Sequence, residues 1–252
     1  MAGPASNRLL RQTVPASSAA APGAVSMALL HGFELRLDGA TVELPLSAQR
    51  VVAFLALHER PLQRLFVAGC LWLESTQERA NASLRTALWR LAATGSRLVH
   101  ATSNHLALAD GVLVDVREAT ASARRALRHE SERHDFEDLR NAGELLPDWY
   151  DDWVLIERER FRQLRLHALE SLCDELAEQG RFADAVEAGI AAVAGEPLRE
   201  SAHRALIRAY VAEGNASEAL RQHRIFTTLL RDQLDAEPSS LMKELMRALP
   251  NR

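Results

Sequence analysis

Three arginines, a threonine, an alanine and a tryptophan gather on one side of the stretch Ser75 to Leu91, and the chemistry open to such a set is recognition of a nucleic acid. At about 100° per residue, Ala80, Leu84, Ala87, Leu88 and Leu91 line the inner side of a helix. Ala82, Thr86 and Trp89 centre the outer side, flanked by Arg85 on one edge and Arg79 and Arg90 on the other. Glu78, in the first turn, is the one carboxylate near that face, and Ser75 with Glu78 has the spacing of a capping box. Arginine pairs bidentately with guanine, and threonine or alanine packs on a thymine methyl, so Arg85, Thr86 and Ala82 are the candidate base readers. Arg79 and Arg90 are placed for phosphate contacts. Each arginine alone is equally a solvated or ion-paired side chain; the surrounding elements decide.

Before the helix, alternation over Leu29–Leu37 puts Phe33, Leu35 and Leu37 on one strand face, Asp38-Gly39 makes a tight turn, and Thr41–Leu44 returns. Ser47 is the expected cap of a helix that ends at Arg60-Pro61, and a short helix follows over about Gln63–Leu73. After Thr94-Gly95 come short strands over about Arg97–Ala101 and His105–Leu108 around a polar turn, with Val112–Val114 as a further strand. Sheet, three helices and a terminal hairpin describe a winged helix-turn-helix, in which the third helix enters the major groove and the wing touches the adjacent backbone. Arg97 then leads into the wing, and Trp89 has two readings, a DNA contact or a brace against the wing or the first sheet.

Beyond Asp115 the pattern is helical: about Val116–His129, Glu132–Ala142, an aromatic connector Gly143–Trp153, and a long helix Val154–Gln179. A repeat of period 34 pairs Leu172 with Leu206, Leu176 with Tyr210, Gly180 with Gly214, Ala185 with Ala219 and Ala192 with Phe226. That is the tetratricopeptide period. A helix over Leu241–Leu249 is expected to cover the last apolar face. The fold class is thus mainly α: an N-terminal α+β winged helix-turn-helix domain, residues 27–115, then an all-α tetratricopeptide-like domain, residues 116–252. Residues 1–26, rich in Ala, Ser and Pro, read as a disordered tail rather than a signal peptide, and Met27 is a second candidate start.

The net charge of -4 conceals an asymmetry. Residues 27–114 carry eight arginines against seven acids, and 115–252 carry twenty basic residues against twenty-seven acids. A nucleic-acid surface therefore belongs to the first half as a local patch, supplied by Arg60, Arg64, Arg79, Arg85, Arg90 and Arg97. Cys70 and Cys173 read as buried thiols in a reducing cytoplasm rather than a disulfide or metal pair. The nine histidines form no metal-ligand spacing, the acidic run Asp148, Asp151, Asp152 reads as a solvated connector, and no phosphate-binding loop or nucleophile motif is present. The expectation is a protein without catalysis, cofactor or metal, with no apolar run of membrane-spanning length.

The chain resembles the small antibiotic-regulatory activators of actinobacteria, which join an OmpR-type winged helix to a bacterial transcriptional activator domain. The resemblance rests on Ala82-Ser-Leu-Arg-Thr-Ala-Leu-Trp-Arg-Leu91, on Gly143-Glu-Leu-Leu-Pro-Asp-Trp-Tyr-Asp-Asp-Trp-Val154 and on Glu196-Pro-Leu-Arg-Glu-Ser-Ala-His-Arg-Ala-Leu206. It implies a cytoplasmic, nucleoid-associated activator that binds direct repeats in double-stranded promoter DNA as a homodimer and recruits RNA polymerase holoenzyme. By position it assigns Arg85, Thr86, Trp89 and Arg90 to the recognition helix. Leu65-Phe66 and the wing tip Ala101–His105 depart from the usual pattern. The alternative is a protein-interaction adaptor that uses the tetratricopeptide-like groove and binds no specific DNA.

Overall fold

A computed structural model describes residues 24–94, 98–132 and 134–248. Strands β1 (Val25–Ala28), β2 (Glu34–Leu37) and β3 (Ala40–Thr41) open the chain. Asp38 and Gly39 both take positive φ, 51° and 82°, the turn that matches the twist of the two strands it joins. The single strand expected over Leu29–Leu37 is broken: residues 29–33 form the loop that reverses the chain between β1 and the antiparallel β2, with His31 and Gly32 at positive φ. Strand β1 begins at Val25, before the domain boundary expected at Met27.

Helix α1 (Leu46–Ala56), strand β4 (Leu62–Gln63), helix α2 (Arg64–Leu71) and helix α3 (Gln77–Ala93) follow. Neither expected serine cap forms. Pro45, with φ fixed at -62° in extended geometry, starts α1 one residue before Ser47, and Thr76 occupies the N-cap of α3 without a side-chain bond. Ser75 lies in the preceding turn, its amide donating to the Trp72 carbonyl at 3.0 Å. Strands β5 (Val99–Ala101) and β6 (His105–Leu108) form the wing, with β4 paired to the other edge of β6. Strand β7 (Val112–Val114) leaves the wing and pairs in parallel with β1, so the first sheet runs β3-β2-β1-β7.

Helices α4 (Asp115–Leu127), α5 (Asp135–Asn141) and α6 (Asp152–Glu178) carry the chain into two antiparallel pairs, α6 with α7 (Phe182–Gly195) and α8 (Glu200–Glu213) with α9 (Ala216–Leu234). The repeat is visible in the packing. Gly180 and Gly214 turn between paired helices at φ 74° and 86°, where a Cβ would be strained. Ala185, Ala219, Ala192 and Phe226 are all fully buried. Arg208 bonds both oxygens of Asp174, the residue one repeat before it. Helix α10 (Ser240–Arg247), capped by Ser239, buries Met242 over the last pair; residue 249, in the helix expected there, lies outside the described residues.

The core of the first half does not stop at Asp115. It continues through Val116, Leu145, Leu146, Val154 and Phe161, so the two halves share one apolar seam. The connector plugs it: Trp153 stands edge-on to Phe54 at 5.2 Å, and Trp149 stacks near Phe33 at 6.0 Å. The Asp115 carboxylate accepts from the amides of Leu29, Leu30 and Val116. It thereby ties the start of α4 to the end of β1. Asp151 is not a solvated carboxylate. It pairs with Arg50, which also donates to the Leu71 carbonyl at 2.6 Å and lies over the Trp72 ring.

Candidate nucleic-acid interface

Helix α3 is divided as its 3.6-residue period demands. Ala80, Leu84, Ala87 and Leu91 are buried on α1 and α2, and Leu88 is half-buried. Arg79, Ala82, Arg85, Thr86, Trp89 and Arg90 are all exposed. None of the three arginines has an ion pair or hydrogen bond to another described residue, whereas most arginines of helices α4 to α9 are paired with carboxylates or carbonyls. Three guanidinium groups with no partner among the described residues thus stand on one helix face, their donors open to anionic groups.

Thr86 donates its hydroxyl to the Ala82 carbonyl at 3.0 Å, within its own helix. Its methyl group is what remains for an outside partner. Trp89 is 71% exposed, and its ring has no aromatic or cation–π contact among the described residues. Arg97 lies outside the described residues.

The wing is fixed by a local device and by a neighbour. Thr102 Oγ1 accepts from the amide of His105 at 3.0 Å, which closes the tip as a compact turn. Arg64, at the start of α2, donates its amide to the Asn104 carbonyl at 2.9 Å and its Nη1 to the Thr102 carbonyl at 3.2 Å. Between α3 and the wing tip runs a cleft of about 530 Å³, lined by Arg64, Asn81, Arg85, Asn104 and His105 with Leu84 at its base. Arg64 was legible only as one more charge of the basic patch, and Asn81, Asn104 and His105 carried no signal beyond polarity. Leu65 and Phe66, unusual for a second helix in their apolar character, are 59% and 46% exposed beside this cleft.

A second cleft, of about 630 Å³, separates the end of α1 from α4 and α6. Its charges are spent internally. Arg117 donates to the carbonyls of Leu55, Ala56 and His58, neutralising the C-terminal end of α1, while Arg124 pairs with Glu59 and Arg160 with Glu157. The donor atoms of His134, Asp135 and Asp138 come within 4.8 Å of one another. Asp135 is already committed to the Arg125 guanidinium and the Glu132 amide. Burial pushes its carboxyl up, but those bonds outweigh burial and hold it below the ordinary value. Cys70 and Cys173 are both free thiols, the first half-buried and the second buried.

Comparison with known proteins adds three findings. The family model of the bacterial transcriptional activator domain matches residues 113–249, more than half of the chain. The regulatory protein AfsR of Streptomyces coelicolor is 29% identical over 243 residues; the match takes in 90% of this chain and 24% of AfsR, so the chain spans about a quarter of that relative. The structure of Mycobacterium tuberculosis EmbR, solved in complex with a low-affinity phosphopeptide, superimposes with a TM-score of 0.68 at 22% identity, covering 90% of this chain and 66% of that one.

Proposed function

Because the chain belongs to the bacterial transcriptional activator domain family, we propose that it is a transcriptional activator of the antibiotic-regulatory type that works by sequence-specific binding to promoter DNA through α3 and the wing. The observation that carries this reading is the outer face of α3, where Arg79, Arg85 and Arg90 stand exposed and unpaired around Ala82, Thr86 and Trp89. Arg85 reads a guanine, and Ala82 with the Thr86 methyl packs on thymine methyls. Arg79 and Arg90 hold phosphates, Arg97 adds a contact at the approach to the wing, and Trp89 lies against the groove wall. In this reading residues 27–115 form the DNA-binding domain and 116–252 the activator domain.

We further infer that two copies occupy direct repeats and that the assembly recruits RNA polymerase holoenzyme, at the nucleoid in the cytoplasm. Family membership supports this part, together with the exposed Leu65 and Phe66, an apolar pair beside the DNA-facing cleft that is available to a protein partner. No helix of the described residues is long and apolar enough to cross a membrane. The reading involves no catalysis and no cofactor.

The test is selection from a random duplex library with the full chain, followed by footprinting of the enriched site. A repeated motif at helical-turn spacing is expected. Enrichment of no motif, with binding that responds only to salt, would return the chain to the adaptor reading.

A further inference from the structure

Taking the proposed DNA-binding face as its basis, we propose that Asn81 is a specificity-determining residue that reads an adenine next to the base contacted by Arg85. Asn81 lies one helical turn before Arg85, and residues four apart on a helix are neighbours on one face. Both line the cleft between α3 and the wing, opposite Asn104 and His105.

Gln63, Ser103, Asn104 and His105 also bring donors and acceptors to the cleft, but from the approach to α2 and from the wing; on α3 itself the chemistry of this position differs from that of its neighbours. Arg64 and Arg85 offer only donors to the cleft, which attracts phosphates and the acceptor edge of guanine but matches no adenine. Ala82 offers no polar atom, and the Thr86 hydroxyl is taken by the Ala82 carbonyl. Asn81 presents both a donor and an acceptor, and no hydrogen bond joins its amide to another described residue. That pair of groups is the complement of adenine N7 and N6 in the major groove. Asparagine is also a poor choice for the interior of a helix, because its amide competes for backbone partners. It sits here in the second turn of α3, which begins at Gln77, at the end of a recognition helix that meets base edges. The cleft is formed before DNA arrives, since both bonds from Arg64 already hold the wing tip in place.

The experiment is duplex selection and affinity measurement with full-length wild type, Asn81→Ala and Asn81→Asp. Wild type should enrich a motif with an adenine that Asn81→Ala no longer selects, its affinity for the wild-type site falling about ten- to a hundredfold while the other positions keep their preference. Asn81→Asp, of the same size, should move the preference at that one position toward cytosine, whose N4 donates to a carboxylate. Alanine is the better helix former, so loss of fold is not expected, and matching thermal melts will check it. A motif left intact in both variants overturns the Asn81 assignment and leaves the DNA-binding reading standing. So does an equal loss for every sequence. Failure of wild type itself to enrich any motif removes both.

Discussion

The guanidinium of Arg64, at the start of α2, donates to the carbonyl of Thr102 at the tip of the wing, at 3.2 Å. An arginine in a basic patch thus acts on protein geometry, and through it on the cleft between α3 and the wing. Arg64→Ala should lower affinity about severalfold for every duplex alike, the value of one charge-assisted bond. Base preference should not change. Anisotropy titrations on matched and scrambled duplexes will show it; a changed preference would instead make Arg64 a base reader.

Arg85→Ala should cost about 1–3 kcal/mol of binding and relax selection at one position. Arg79→Ala and Arg90→Ala should weaken all sequences equally and each reduce the salt slope by about 0.9. Titrations at several salt concentrations separate the two classes.

His203 is buried, with Nε2 placed to donate to the Pro197 carbonyl at 2.9 Å and Nδ1 to accept from Gln222 at 2.8 Å. Burial pushes its pKa below the ordinary 6.5. A histidine whose folded pKa is depressed gives its full stability above the unfolded value and loses it as the pH falls from there toward the folded value. Thermal midpoints should therefore drop between about pH 7 and pH 5. His203→Gln, unable to titrate, should flatten that part of the profile; an unchanged profile would mean that another group controls it.

Arg50 and Asp151 join α1 to the connector across the seam. Removing either side chain leaves the other half-buried without its partner, and a double-mutant cycle should return a coupling of about 1–3 kcal/mol in urea melts. Additive losses would show that the shared apolar core alone joins the halves.

Burial pushes the Cys173 thiol up to about 12, and the neighbouring Asp174 adds to the effect. Cys70 is only half-buried. A thiol reagent at pH 8 should label Cys70 first and reach Cys173 only at the rate of unfolding. Mass spectrometry over denaturant will distinguish this order from simultaneous labelling.

The helical repeat was readable because its signals are periodic and local: a glycine at each turn, Gly180 and Gly214, and an alanine at each close crossing, Ala185 and Ala219. The outer face of α3 was readable for the same reason. Contacts between distant segments left no such mark. Nothing in Val112–Val114 announces parallel pairing with Val25–Met27, and nothing in Asp151 announces Arg50. Helix starts were misplaced where Pro45 and Thr76, rather than the neighbouring serines, took the N-cap. At the candidate site the arginines stood out by charge, whereas Asn81 and Arg64 acquire their meaning only from the wing folded opposite them.

Strand β7 returns from the wing to lie beside β1, where Asp115 locks the junction through the amides of Leu29 and Leu30. The hairpin between α3 and β7 is therefore an excursion with both ends anchored, and its tip is a cassette. Residues 102–104 lie outside both strand ladders, and the Arg64 bonds to the carbonyls of Thr102 and Asn104 tie them to α2. On the proposed DNA-binding reading, exchanging residues 102–104 should change duplex affinity while the core beneath both halves stays folded.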